Sequence, residues 1–176
     1  MDPRWIVIVL ANGLLVFLGG QLNHYLAHLP VSVFLLGLFL PVAGLRLRFR
    51  PALIAVFLSG LVADAARPVP FGSSALLLAL LLTVWHAIRS RLPRGGVAPA
   101  IIGALLANLV LFFAQPLLLG GAVAGSATLG RILVDFGASQ LALVLLGPWF
   151  FALQEQALLL MGVNLAEEAR QPGGAL

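Results

Sequence analysis

The sequence contains no cysteine and no lysine, and only 9% of its 176 residues are charged. Without cysteine the chain has no disulfide, no thiol nucleophile and no thiolate metal ligand. Soluble domains carry about 25% charged residues because their large surface must be covered by polar side chains. The low charge, together with 61% hydrophobic residues, excludes an ordinary soluble fold and predicts an integral membrane protein.

Six apolar stretches reach or approach the roughly 20 residues that a helix needs to cross a bilayer. The second and third are short, and a re-entrant pair is the competing interpretation for them. Pro148 is predicted to kink the sixth span, and residues 128–137 before that span are predicted to lie at the interface. The predicted spans cover about residues 5–27, 31–45, 52–66, 71–88, 97–119 and 138–160.

These spans predict an all-α membrane protein, with residues 1–165 forming one compact bundle of six transmembrane helices and residues 166–176 a short cytoplasmic tail. Its pI near 11.4 would suggest a nucleic-acid ligand in a soluble protein. In a membrane chain the arginines instead set the orientation, because the side richer in basic residues stays in the cytoplasm. Eight of the ten arginines fall on one side of the predicted bundle, so both termini are expected in the cytoplasm. The two loops on that side that join spans carry Arg46, Arg48, Arg50, Arg89, Arg91 and Arg94.

Ionisable residues inside a membrane are functional candidates because their burial is costly. Asp64 is the strongest candidate, and it lies three residues before Arg67 on one helical face. Two interpretations stay open for it: a helix-end ion pair, or a binding or register role at the outer surface. Asp135, four residues after Arg131, predicts a second interfacial pair. Glu155 is expected to reach the interface or to accept a bond from a cytoplasmic arginine.

Small residues form a smooth face on the fifth span. Helices in lipid associate through such residues, because close backbone approach strengthens their packing. The face is therefore expected either to pack inside the bundle or to dock a partner helix. Its members are Ala100, Gly103, Ala104, Ala107 and Asn108.

The sequence shows no pattern typical of an enzyme, a zinc site or a phosphate loop. His24 and His28 have the spacing of a helical metal pair, but no acid or cysteine lies near them. Ser73 and His86 share one predicted helix and are about 20 Å apart, which is too far for a catalytic dyad. We therefore expect neither enzymatic activity nor a bound cofactor.

One motif resembles a known family. Gly60-Leu61-Val62-Ala63-Asp64 is followed by a short loop, Arg67 to Pro70, by Phe71-Gly72, and by an apolar span that ends in Arg89 and Arg91. With the preceding short span and arginine cluster, this arrangement resembles the rod shape-determining MreD family. Phe71 departs from the family pattern, in which leucine is commoner at that point, and the two prolines of the loop are unusual.

The resemblance implies a non-catalytic scaffold of the bacterial cell-elongation machinery in the inner membrane. Such a protein binds the bitopic protein MreC and, through that complex, acts with the actin-like MreB and the peptidoglycan synthases. Gly60, Asp64, Pro70 and Gly72 are the residues that match the family motif, and Arg67 lies in the same periplasmic turn. They are expected to shape the break between spans three and four rather than to perform chemistry.

The alternative is the substrate-binding subunit of an energy-coupling-factor vitamin transporter, a six-span protein that the MreD family resembles in fold. Those subunits usually carry a pair of alanines, four residues apart, on span one, where the transport module docks. In this sequence Leu15 follows Ala11 at that spacing, so the pair is missing. The outer loops also lack the polar and aromatic residues that would close over a vitamin.

Overall fold

A computed structural model describes residues 4–29, 31–89, 97–118 and 129–160 of the chain. Of these residues 88% are helical, and none of them forms a strand. The prediction of an all-α protein is therefore confirmed. The helical elements are α1 (Arg4–Leu26), a 3-10 segment (Leu36–Phe39), α2 (Leu40–Arg46), α3 (Phe49–Ala65), α4 (Ser73–Ile88), α5 (Val97–Leu118) and α6 (Leu129–Leu160).

Three of these helices, α1, α5 and α6, are long and apolar enough to cross a membrane. Large apolar side chains cover the outside of the bundle, and Phe17, Leu76 and Leu117 are 63%, 66% and 82% exposed. Lipid solvates such side chains, whereas water does not. Helix length and surface composition together support the prediction of a membrane protein.

The short segment around α2 forms the centre of the bundle. All residues from 35 to 44 are buried, and Leu38 and Leu40 are completely enclosed. The 3-10 segment packs against α5 and α6, and α2 packs against α3, α4 and α5. The longer helices therefore surround this element, which explains why its residues are apolar on every side.

The prediction that residues 31–45 form one continuous helical span is wrong. Residues 31–35 are non-helical, the 3-10 segment follows, and only Leu40–Arg46 form an α-helix. A continuous α-helix over these residues would be shorter than the distance that the segment covers. That distance can be estimated from the two contacts of the segment with α6. Ser32 bonds to Asp135 and Arg46 bonds to Glu155.

Positions 135 and 155 of α6 are 20 residues apart, which corresponds to about 30 Å at 1.5 Å per residue. The 14 steps from position 32 to position 46 would cover only about 21 Å as an α-helix. Non-helical backbone can rise by up to about 3.3 Å per residue, so residues 31–35, which are not helical and which we call the extended segment, supply the missing length. A stretch too short to cross a bilayer as a helix thereby reaches about the 30 Å thickness of the hydrocarbon core.

The last helix is longer than predicted. α6 runs without a break from Leu129 to Leu160, so the described part of the expected interfacial segment forms its first turns. These turns are held against the bundle because Asp135 and Ser139 bond to the extended segment. Pro148 lies inside the helix and does not end it. The helical bounds of the other predicted spans differ by at most three residues at either end.

Candidate functional site

The carboxylate of Asp64 caps the helix that follows its own. Asp64 lies in the last turn of α3 and is 2% exposed. It accepts the backbone N–H of Gly72 at 2.9 Å and that of Ser74 at 3.0 and 3.2 Å. The first N–H groups of a helix lack intrahelical partners and form the positive end of its dipole, so they stabilise a negative charge. Asp64 therefore ties the end of α3 to the start of α4.

Three other motif residues set the backbone geometry of this turn. Gly72 has a φ of 94°, in the left-handed region that favours glycine. The carbonyl of Pro70 accepts the Ser73 N–H at 3.1 Å and closes the turn. Gly60 lies where α3 and α4 cross, and a Cβ there would lie 2.5 Å from the Cα of Ala75. The absence of a side chain at Gly60 therefore allows the two helices to touch.

Ser74 joins this cap to α5 and to the loop after α3. Its Oγ accepts hydrogen bonds from Gln115 at 2.6 Å and from Nη2 of Arg67 at 3.3 Å. Arg67 also donates from Nε to the carbonyl of Ala63 at 3.2 Å, and its guanidinium lies 5.2 Å from the centre of the Phe34 ring. We call Asp64, Arg67, Ser74 and Gln115 the Asp64 cluster.

The charges of this cluster offset one another. Burial lowers the pKa of Arg67, and the negative charge of Asp64 opposes that shift. The aspartate is in turn stabilised by the N–H groups that it accepts. Removing the carboxylate would therefore uncap α4 and leave the half-buried guanidinium without this opposite charge.

A groove opens beside the cluster, between the second half of α1, the extended segment and the end of α3. Its volume is about 110 Å³, and most of its lining is apolar. Asn23 lines it, but both ends of its amide are paired with the backbone of Val33, at 2.7 and 2.9 Å. Among the described residues that line it, Arg67 is the only ionisable one.

Two residues of α6 also hold the extended segment. Asp135 accepts the N–H of Ser32 at 2.8 Å, and the hydroxyl of Ser139 accepts the N–H of Phe34 at 2.9 Å. Lipid offers no hydrogen-bond partner, so non-helical backbone at membrane depth has to be paired within the protein. The spacing to Arg131 suggested only an interfacial pair for Asp135 and did not reveal this role.

The small-residue face of α5 is covered by the chain itself. The N–H of Gly37 donates to Oδ1 of Asn108 at 3.2 Å, and a Cβ at Gly37 would collide with the carbonyl of Ala104. A Cβ at Gly103 would overlap the ring of Trp85. This face is thus filled by the 3-10 segment and α4 rather than left open to a partner helix. All its members are buried: Ala100, Gly103, Ala104, Ala107 and Asn108.

Two of the predicted cytoplasmic arginines contact neighbouring elements. Arg46 donates to Oε1 of Glu155 from Nη2 at 2.6 Å and from Nε at 3.1 Å, which confirms that Glu155 bonds to an arginine of this group. Arg89 lies 3.0 Å from the ring nitrogen Nε2 of His86 and 3.4 Å from the carbonyl of Leu47. These contacts bring the ends of α2, α4 and α6 together.

We call this end of the molecule, with Arg46, Arg48, Arg50 and Arg89, the arginine end. Arg48 and Arg50 are exposed there at the start of α3. The predicted tail and two further arginines of the group lie outside the described residues. Those two are Arg91 and Arg94.

A second polar network joins three helices and was not identified from the sequence. Asn12 donates to the hydroxyl of Ser59, Gln154 donates to the side-chain oxygen of Asn12, each at 2.9 Å, and Ser59 donates to the carbonyl of Ala55 at 2.7 Å. The three side chains of the network are completely buried. Such bonds between membrane helices contribute about 0.6 kcal/mol on average. The available signal was the presence of the polar residues Asn12, Ser59 and Gln154 within apolar spans.

Comparisons with known proteins give no match: no family model, no curated protein and no solved structure matches the chain. Within the described residues, no group of three or more histidines, aspartates or glutamates is placed to hold a metal ion. The Asp64 cluster and the groove beside it are therefore the two candidate functional features of the described bundle.

Proposed function

We propose that the protein is a non-catalytic integral membrane scaffold of the bacterial rod-shape machinery, similar to the MreD family. The Asp64 cluster carries this proposal. Both oxygens of Asp64 accept backbone N–H groups, and the hydroxyl of Ser74 accepts from Gln115 and Arg67. The carboxylate of Asp64 and the hydroxyl of Ser74, bound in this way, fix the shape of the turn and are not available to activate a substrate.

The proposed location is the bacterial inner membrane, with six passes and both termini in the cytoplasm. Two observations support this arrangement. The arginine end carries four arginines, as expected of a cytoplasmic surface. The opposite end contains the Asp64 turn, and α6 covers about 30 Å between the residues that contact the two ends of the second segment.

The proposed direct partner is an MreC-like bitopic membrane protein, which would connect the scaffold to MreB filaments and to peptidoglycan synthases. The fixed turn presents Phe71, which is 71% exposed, between the exposed Pro70 and the start of α4. A large apolar side chain on a rigid turn is suited to protein binding, because little conformational entropy is lost on association. We propose that the partner contacts this turn.

The groove favours the scaffold over the alternative, a vitamin-binding transporter subunit. Pockets for small molecules usually measure about 300–1,000 Å³, whereas this groove measures about 110 Å³. The amide of Asn23, which lines it, is already paired with Val33 and is not free to recognise a polar ligand.

The proposal is tested by depleting the protein from a rod-shaped cell and restoring it with variants. Depletion is expected to round or swell the cells, and wild-type protein should restore rods and capture the MreC-like protein. Phe71→Ala should reduce capture by about tenfold, since exposed aromatic residues often dominate interfaces. Leu76→Ala is the matched control, because Leu76 is similarly exposed, at 66%, but lies within α4 rather than in the turn.

Membrane levels of each variant are measured with a fluorescent tag, so that loss of folding is distinguished from loss of binding. Cells that stay rod-shaped after depletion would contradict the scaffold. Loss of vitamin uptake in those same cells would support the transporter subunit instead. Equal capture by both alanine variants would contradict the proposed contact at the turn.

A further inference from the structure

The guanidinium of Arg67 has hydrogen-bonding capacity left over in the groove. Arginine carries five N–H donors. One donates to the carbonyl of Ala63 and another to the hydroxyl of Ser74. The remaining three have no acceptor within the described part of the chain, and the residue lines the groove. A planar array of free donors of this kind is suited to an anionic phosphate.

The rest of the groove is suited to a hydrocarbon chain. Leu15 and Asn23 mark its extent on α1, and eight residues of helix correspond to about 12 Å. A Cβ at Gly20 would meet no atom within 4 Å, so the wall of α1 leaves open space there. A dry cavity of about 150 Å³ accommodates benzene, so a volume of about 110 Å³ suits a section of acyl chain. A helix, about 10 Å in diameter, would not enter.

The depth of the groove also matches a lipid. Tyr25, two residues after Asn23, is 74% exposed, and such aromatic residues lie at the level of the lipid headgroups. Asn23 bonds to Val33, and the guanidinium of Arg67 lies over the ring of the next residue, Phe34, so both line the same end of the groove. Leu15 lines the groove two helical turns before Asn23 on α1. The cationic end is thus at phosphate depth and the apolar end at acyl-chain depth.

We propose that this groove binds one anionic phospholipid, with its phosphate on Arg67 and an acyl chain along α1. The bound lipid would fill the junction of α1, α3 and the extended segment. This site does not depend on the scaffold role, since it follows from the charge and shape of the groove alone.

The test is a titration of the purified full-length protein in detergent with phosphatidylglycerol, in which native mass spectrometry counts bound lipids. One phosphatidylglycerol is expected to bind at least tenfold more tightly than phosphatidylcholine or inorganic phosphate. Arg67→Gln should weaken this binding by about tenfold, because bonds to a charged group are strong. Arg131→Gln is the control, since Arg131 is exposed on α6 and lies outside the groove.

A second variant tests the groove without disturbing the Asp64 cluster. Gly20→Leu fills the open wall and should weaken phosphatidylglycerol binding about tenfold. Gly13→Leu makes the same change on the same helix, where a Cβ also meets no atom within 4 Å, but outside the groove lining, and it should bind like wild type. Circular dichroism of each variant shows whether a change in binding merely follows a loss of folding.

Four results would overturn the proposal. The first is equal binding of phosphatidylglycerol and phosphatidylcholine, and the second is unchanged binding in both Arg67→Gln and Gly20→Leu. The third is inorganic phosphate that binds as tightly as the lipid, which would indicate a simple anion site. The fourth is a Gly20→Leu variant that keeps its lipid but loses self-association or partner capture, which would make the groove a protein interface.

Discussion

Asn23 and Val33 are joined by a pair of hydrogen bonds. The side-chain oxygen of Asn23 accepts the Val33 N–H at 2.7 Å, and its amide nitrogen donates to the Val33 carbonyl at 2.9 Å. One side chain thus replaces both backbone partners that a helix would have given to Val33. The extended segment can therefore lie within the bundle without unpaired backbone groups at this position.

Replacing this amide should destabilise the protein. Asn23→Leu leaves the N–H and the carbonyl of Val33 unpaired, and each unsatisfied buried group costs about 1–3 kcal/mol. We expect the free energy of unfolding to fall by about 2–6 kcal/mol, measured by circular dichroism in detergent during denaturant titration. Gln21→Leu is the control, because Gln21 is exposed on the same helix. Equal stability of the two variants would show that Asn23 does not hold the segment.

Two substitutions at position 64 distinguish the contribution of its charge to the cap on α4 from the contribution of its hydrogen-bond acceptors. Asp64→Ala removes the acceptor of the Gly72 and Ser74 N–H groups, so we expect a loss of about 2–3 kcal/mol in unfolding free energy. Asp64→Asn keeps one acceptor oxygen and should lose less. The measurement is thermal unfolding followed by circular dichroism.

Ser73→Ala is the matched control for this turn, because the hydroxyl of Ser73 is buried without a partner among the described residues and its removal leaves none of them unpaired. Its stability should equal or exceed that of the wild type. If Asp64→Ala unfolds like the wild type but fails to restore cell shape, Asp64 contacts a partner rather than capping the helix.

The helices predicted from the sequence agree with the structure where a segment pairs its backbone N–H and carbonyl groups within one helix. The apolar stretches that became α1, α3, α4 and α5 form continuous helices, even with Pro116 inside α5, because a chain in lipid has to pair its own backbone groups. The segment around Val33 is equally apolar, so composition could not separate it from these. Its conformation depends on side chains of distant elements, Asn23, Asp135 and Ser139, and no local pattern encodes those contacts.

The same limit applies to the candidate site. Asp64 was recognisable as an acid within an apolar span and as part of a family-like motif. Its partner Ser74 lies ten residues later and is reached only because Gly72 turns the chain back. Gln115 of α5 donates a hydrogen bond to Ser74. The residues next to Gln115 in the sequence do not predict this contact. The residues of the motif could be identified from the sequence, whereas the hydrogen bonds between them could be identified only from the structure.

The crossing of α3 and α4 should be sensitive to a single methyl group. Gly60→Ala places a Cβ 2.5 Å from the backbone of Ala75, so the helices have to separate, and overpacking of this kind costs about 1–3 kcal/mol. Gly13→Ala is the control, since its Cβ would meet no atom within 4 Å and alanine is the better helix former. Circular dichroism during thermal unfolding should therefore show a lower midpoint for Gly60→Ala and an unchanged or higher midpoint for Gly13→Ala.

The absence of cysteine makes the proposed topology directly testable. Arg50 lies in the first turn of α3, and Pro68 lies three residues beyond its end. Both are exposed, and α3 is shorter than a typical membrane span. If α3 crosses the membrane, a membrane-impermeant maleimide applied to intact cells should label Pro68→Cys. It should label Arg50→Cys only after the cells are permeabilised.

The cysteine-free parent gives the background, because it has no other reactive thiol. Labelling of both variants in intact cells would show that α3 enters and leaves on one side, as a re-entrant pair with the second segment would. The reverse pattern would place the arginine end outside the cell, against the expected retention of basic residues in the cytoplasm. Only labelling of Pro68→Cys alone agrees with a cytoplasmic arginine end and a periplasmic Asp64 turn.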